Sequence, residues 1–265
     1  MTKIARLRLE DGLVRYACLR DGETFELIGG NLFGNWYPTG VLVPAAKAKL
    51  LAPVDPPNII AIGLNYRGHA QESKMPLPER PVIFLKATSA LCHPEEPIVL
   101  PKVAPDEVDY ECELAIVIGK RARNVSVEAA LDYVLGYTCA NDVSARDCQI
   151  RLDKQWARAK SFDTFAPLGP WIETEMDPDR ARICTRLNGR TMQDSNTGDL
   201  IFSCRELISF ISHSMTLLPG TVIMTGTPAG VGFARKPPVF LRPGDVVEIE
   251  VEGIGVLRNP VVAEA

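Results

Sequence analysis

This 265-residue sequence predicts an α+β fold that is mainly β, with a small N-terminal β-domain ahead of a larger body. Three observations carry that prediction. Short apolar runs bounded by Gly, Pro, Asn or Asp recur along the whole chain, which is the pattern of strands joined by tight turns. Asp11-Gly12, Asp21-Gly22 and Asn188-Gly189 are hairpin dipeptides. Helical periodicity is confined to a few segments.

Residues 1–30 alternate apolar and charged positions around the first two of those dipeptides, giving an antiparallel meander. Pro53-Val54-Asp55-Pro56-Pro57 closes it, since consecutive prolines continue neither a ladder nor a helix. A boundary there leaves an N-terminal β-domain over 1–55 and a main domain over 56–265. Asn58 to Gly63 reads as a short apolar strand. In the segment after it, a helical turn over 66–73 places His69 and Glu72 at i and i+3, within reach of each other. Pro81 to Lys86 is a strand, and Pro94, Pro97, Pro101 and Pro105 mark loops. Ser126 is positioned to cap a helix that Gly136 stops. Tyr137 to Asn141 is a strand ending at Asp142, and a helix opening there would align Asp142, Arg146 and Gln149 along one side. Ser203-Cys204-Arg205-Glu206 is a capping box, followed by a stripe of Leu207, Phe210, Ile211, Met215 and Leu218. The last strands pair around Gly253.

Composition excludes several classes of function. With 46% hydrophobic and 23% charged residues the chain is an ordinary globular protein, and a net charge of −4 gives no footprint for nucleic acid. Arg146, Arg151, Lys154, Arg158 and Lys160 form one local basic segment, read as attraction for a small anion. No apolar run reaches the ~18 residues of a membrane span, and the N-terminus lacks a signal-peptide apolar core, so a cytoplasmic protein is expected. Seven cysteines without a CxxC pair fit a reducing compartment better than a disulfide framework.

The chemistry concentrates in Asp109-Tyr110-Glu111-Cys112-Glu113-Leu114-Ala115-Ile116-Val117-Ile118-Gly119, where carboxylates enter a buried-type strand. Alternation puts Glu111 and Glu113 on one face, with Cβ atoms roughly 6.6 Å apart. Left unpaired at ~5 Å charge separation, two such carboxylates would repel by about 3 kcal/mol. A hard divalent cation removes that repulsion, because Mg²⁺, Mn²⁺ and Ca²⁺ prefer oxygen ligands. Asp142 is the candidate third ligand, with an ordinary helix N-cap as the alternative. Lys160 would bring three carboxylates and a divalent ion to neutrality. In Thr225-Gly226-Thr227-Pro228-Ala229-Gly230-Val231-Gly232 the Lys-Ser/Thr pair of a nucleotide loop is missing, leaving a tight turn or an N–H cradle for a carboxylate.

Taken in order and spacing, Gly63-Leu64-Asn65-Tyr66 with His69 and Glu72, Asp109-Tyr110-Glu111-x-Glu113, Asn141-Asp142 with Arg146, Lys160-Ser161-Phe162-Asp163 and Thr225-Gly226-Thr227-Pro228 resemble the fumarylacetoacetate hydrolase superfamily over about residues 57–260. Cys112 stands where an aliphatic residue is usual, and Thr221 where an acidic one often follows Pro-Gly. The resemblance implies a mixed β-sandwich roll, a homodimer, and Mg²⁺ or Mn²⁺ held by Glu111, Glu113 and Asp142. It also implies a His69–Glu72 dyad on a lid that orders over substrate.

The function expected from these readings is metal-dependent C–C hydrolysis of acylpyruvate-like 2,4-dioxo acids, such as fumarylpyruvate. Glu72 with His69 would activate water, Lys160 would hold the departing enolate, and Arg146, Gln149, Thr227 and Tyr66 would bind the substrate. The same superfamily contains isomerases of hydroxylated dienedioates, of the 5-carboxymethyl-2-hydroxymuconate and 2-hydroxyhepta-2,4-diene-1,7-dioate types, and oxaloacetate decarboxylases, which leaves isomerisation and decarboxylation open. A non-catalytic protein braced by the cation is the reading from a different class. The expected partner is a small 2-oxo acid, with no nucleic acid and no membrane.

Overall fold

The computed structural model describes residues 2–265. The N-terminal part is a meander of β1 (Lys3–Leu9), β2 (Val14–Leu19), β3 (Thr24–Gly30) and β4 (Trp36–Pro44), with β5 (Ala48–Leu51) returning to pair with β1. The Asp-Gly turns lie at its first two bends, as the alternation requires. The rest of the chain supplies β6 (Ile59–Gly63), α1 (Arg67–Glu72), β7 (Val82–Lys86), β8 (Leu91–Cys92), β9 (Ile98–Leu100), β10 (Val108–Asp109) and β11 (Cys112–Ile118). There follow β12 (Val134–Asn141), β13 (Ser144–Ala145), α2 (Ala157–Lys160), β14 (Ala166–Glu173), β15 (Arg182–Leu187), β16 (Arg190–Asn196), α3 (Cys204–Ser214), β17 (Val222–Met224), β18 (Val246–Val251) and β19 (Gly255–Ala263).

A mixed sheet of twelve strands runs in the order β4-β3-β2-β1-β14-β12-β11-β17-β6-β7, with β5 and β8 attached at its side. A second sheet, β16-β15-β18-β19-β9, packs its inner face on β11, β12 and β14. The result is the mixed β-sandwich roll, and its core lies between the sheets. In β18 the alternation is literal: Val247, Ile249 and Val251 face inward, while Glu248 and Glu250 turn outward to pair with Arg186. Every residue of β11 is buried, because this strand sits between β12 and β17 with side chains covered on both faces. The meander is continuous with the large sheet through β1, which pairs with β14 at Lys3–Glu173 and Ile4–Ile172.

The α3 capping box forms as read, with Ser203 and Glu206 exchanging side-chain and backbone hydrogen bonds. Two helical expectations do not hold. Residues 126–136 make only a 3₁₀ turn (Ala130–Tyr133), and Gly136 lies inside β12 instead of ending a helix. Asp142 does not open a helix either: Ser144–Ala145 pairs with Val108–Asp109, and helical geometry begins only at Arg146, passing into a π turn over Cys148–Leu152. The short ladder wins because it satisfies backbone groups buried beside the site, where an isolated turn would leave them bare. All seven cysteines are buried and free. Among the described residues no helix is long and apolar enough to cross a membrane.

Candidate active site

Antiparallel pairing brings the acids together. In the β11–β12 ladder Cys112 stands opposite Asn141, so the start of one strand lies beside the end of the other. The Asp142 backbone N–H then donates to the Glu111 carbonyl at 2.9 Å and fixes Asp142 next to the Glu-x-Glu pair. Glu111, Glu113 and Asp142, all buried, place one carboxylate oxygen each within 4.8 Å of one another.

Three buried cations surround the cluster, one of them unforeseen. Lys160, at the end of α2, donates to Glu111 Oε2 at 2.7 Å and to Asp142 Oδ2 at 2.6 Å. Lys86, at the end of β7, donates to Asp142 Oδ1 and to the Val143 carbonyl. Arg146 forks Asp109 through Nε and Nη2 at 2.9 and 2.8 Å, reaches Glu111 Oε1 at 2.7 Å, and gives Nη1 to Gln149 Oε1 at 2.8 Å. Asp109 itself accepts from the Gly232 and Phe233 amides at 2.8 and 3.0 Å. The sequence reading missed Lys86 and the role of Asp109. Two positional signals were present: Lys86 shares a strand face with Phe84, and Asp109 continues the period-two acid series of Glu111 and Glu113.

Charge decides the character of each acid. Burial opposes ionisation of Glu111, but Lys160 and Arg146 outweigh it and hold its carboxyl well below the usual carboxylate range. For Glu113 the support, from the Gly226 amide and Lys160, is outweighed. Burial, then the Asp142 and Glu111 charges, push its carboxyl well above that range, and its Oε2 accepts from the Gly226 amide at 2.7 Å. Lys160 is pulled down by burial and more strongly up by Asp142 and Glu111, so it stays an ammonium.

These residues fit an oxygen-seeking divalent cation. The donors are all carboxylate oxygens, they converge, and Glu113 is the member whose ionisation the protein's own cations do not sustain and a bound cation would favour. Each paired oxygen keeps a second lone pair, so the lysines and a cation can share one carboxylate.

A cavity of about 290 Å³ opens over the cluster. Glu111, Glu113, Asp142, Arg146, Gln149, Lys160, Thr227 and His69 all line it. Glu72 does not. It stands behind His69, whose Nδ1 lies 3.4 Å from Glu72 Oε2, and both its oxygens accept from the Gly230 amide at 3.0–3.1 Å. Burial raises the Glu72 pKa, yet the His69 and Gly230 hydrogen bonds prevail and leave it lowered. The loop after β17 is thus an N–H cradle, but for the protein's own Glu113 and Glu72.

One of the expected substrate contacts, Tyr66, needs correction. Tyr66, at the start of α1, is fully buried and lines no part of the cavity, and its hydroxyl lacks a hydrogen-bond partner. Arg146 reaches the cavity with its fork already closed on Asp109, since that buried carboxylate demands a cation of its own. Thr227 stays at the wall, its Oγ1 accepting from Gln193 at 2.8 Å. Arg151 and Arg158 of the basic segment leave the site to pair with Glu107 and Asp153 at the surface.

This fold and this arrangement of acids define a family of enzymes. A family model described as "Fumarylacetoacetate (FAA) hydrolase C-terminal" matches residues 58–262, and one described as "Rv2993c-like, N-terminal" matches residues 2–53. The chain belongs to the fumarylacetoacetate hydrolase family. Among its relatives, the mitochondrial oxaloacetate tautomerase FAHD2A of Bos taurus is 47% identical, with 83% of this chain and 72% of that protein covered. A solved 2-hydroxyhepta-2,4-diene-1,7-dioate isomerase from Mycobacterium marinum superposes with a TM-score of 0.89 at 42% identity, covering 100% of both chains. A solved 5-carboxymethyl-2-hydroxymuconate delta-isomerase from Mycobacterium smegmatis gives 0.89 at 45% identity, covering 99% of this chain and 100% of that one.

Proposed function

We propose that this protein moves a proton on a 2-oxo acid, interconverting keto and enol forms or shifting a double bond next to the 2-oxo group. The observation that carries this reading is that His69 is the one member of the dyad that lines the cavity. Hydrolysis by Glu72-activated water would need that carboxylate to face the substrate, and it is turned to His69 and to the Gly230 amide. The names of the tautomerase and isomerase relatives describe reactions of the same kind.

Glu111, Glu113 and Asp142 would hold Mg²⁺ or Mn²⁺, which when bound supplies positive charge beside the 2-oxo and carboxylate oxygens. His69, oriented by Glu72, takes a proton from the carbon next to the carbonyl and returns it to oxygen, or the reverse. Lys160 stands as a fixed ammonium where enolate charge develops. Gln149, held by Arg146, and Thr227 orient the carboxylate. Besides the bonds to the moving proton only a π bond shifts, from C=O to C=C or along the chain, so no oxidant, reductant or other co-reactant is needed.

The test follows enol absorbance of 2-oxo acids with Mg²⁺ present and identifies products by NMR. The expected result is accelerated tautomerisation that EDTA abolishes and that His69→Gln lowers by about 10²–10⁴-fold. Cleavage of an acylpyruvate into two acids, faster than its tautomerisation, would overturn the proposal in favour of the hydrolase.

A further inference from the structure

We infer that the tail of the substrate is uncharged and apolar, and that Trp156 is the side chain that selects it; this rests on the 2-oxo acid reading above. The cavity has two chemically distinct parts. Its cationic lining, among the described residues, is Arg146 and Lys160, and both are committed to Asp109, Glu111 and Asp142. Away from the charged cluster and its polar neighbours the wall is mostly apolar, with Leu64, Met75, Phe84, Ile150, Trp156 and Phe233 as its large side chains and the uncharged Ser73 as a polar member. It offers no counter-ion to a second carboxylate, whose burial without one is strongly disfavoured.

The wall is built with care for its shape. Phe84 has the Lys160 ammonium 5.2 Å from its ring centroid and the Trp156 ring edge-on at 5.4 Å, so the aromatic surface continues outward from the charged cluster. The indole packs directly on the backbone of Gly63, where a Cβ would come within 2.6 Å of a Trp156 ring carbon. Leu64 is held at φ 49°, a conformation that strains a residue with a side chain. Met75 and Ile150 are each 53% exposed and Phe233 is 40% exposed, apolar surface left open around one cavity. A flat, uncharged tail covers that surface; a carboxylate tail gains nothing there.

Two probes share an oxamate head that mimics a 2-oxo acid and cannot enolise. N-phenyloxamate carries a phenyl tail, and N-oxalylglycine carries a carboxymethyl tail. Calorimetric titration of the Mg²⁺-loaded protein with each is expected to show N-phenyloxamate binding at least about tenfold more tightly. Trp156→Ala should remove most of that preference while leaving N-oxalylglycine unchanged, and Trp156→Phe should retain it. Ile150→Arg, at an exposed position where folding is not at stake, supplies the missing counter-ion and should tighten N-oxalylglycine severalfold. Tighter binding of N-oxalylglycine by the unaltered protein overturns the inference. So does a Trp156→Ala loss shared equally by both probes, or an Ile150→Arg protein without the gain. Neither probe can be turned over, so these outcomes are independent of whether the protein is a tautomerase.

Discussion

Glu113 is the residue whose energetics can be read most directly. Its folded-state pKa is raised, so in the metal-free protein its contribution to stability is greatest when it is protonated and is lost as pH rises through that raised value. Its ionised form is therefore a cost that a bound cation would relieve. Adding Mg²⁺ or Mn²⁺ at about 100 times its Kd should raise the melting temperature by roughly 5–10 °C. Glu113→Gln should raise the metal-free melting temperature and shrink the metal-dependent increment; an unchanged increment would remove Glu113 from the ligand set. Glu72 has the opposite sign. Its lowered pKa gives a contribution present above the ordinary carboxylate value of about 4.3 and lost as pH falls through the lower folded value. Thermal melts between pH 5 and pH 3 should thus be less steeply pH-dependent in Glu72→Gln than in the unaltered protein, and coincident slopes would contradict the His69 and Gly230 contacts as the cause.

At the scale of elements, the loop after β17 is what joins the two halves of the site. Gly226 gives its N–H to Glu113, and Gly230, in the same loop, gives its N–H to Glu72 behind His69. Gly226 sits at φ 103°, and a Cβ there would lie 2.7 Å from the Asn65 Cβ, so neither the conformation nor the space admits a side chain. Backbone strain and overpacking together put Gly226→Ala at about 2–5 kcal/mol of lost stability. Differential scanning calorimetry should show a drop of roughly 5–15 °C, and metal titration should show weaker binding, because the Glu113 carboxylate loses its amide. A variant that melts lower but binds metal undiminished would separate the loop's structural part from its part in the site.

In the whole molecule, the N-terminal meander and the family's catalytic region share one sheet. β1 covers the edge of β14, and β14 neighbours β12, the strand that ends at the site. A fragment of residues 56–265 would expose that edge and the apolar surface that Ile4 and Leu51 cover. The expected outcome is a fragment that aggregates on expression, whereas the full chain stays monodisperse on size exclusion; a soluble fragment with the full chain's melting temperature would show that the meander is dispensable to the fold.

The sequence by itself determined what neighbours along the chain dictate. Alternation put Glu111 and Glu113 on one face, Asp-Gly and Asn-Gly set the hairpins, Ser203 and Glu206 capped α3, and motif order and spacing pointed to the family. Tertiary structure alone decided who partners whom across long separations. Lys86 meets Asp142 across 56 positions, Asp109 takes Arg146 across 37, and the Gly230 amide reaches Glu72 across 158. It also sealed Tyr66 inside and replaced the helix expected at Asp142 with a ladder. The physical reason is the same in each case: local pattern fixes which face a side chain presents, but a buried charge is settled by whatever counter-charge the packing of distant strands delivers to it.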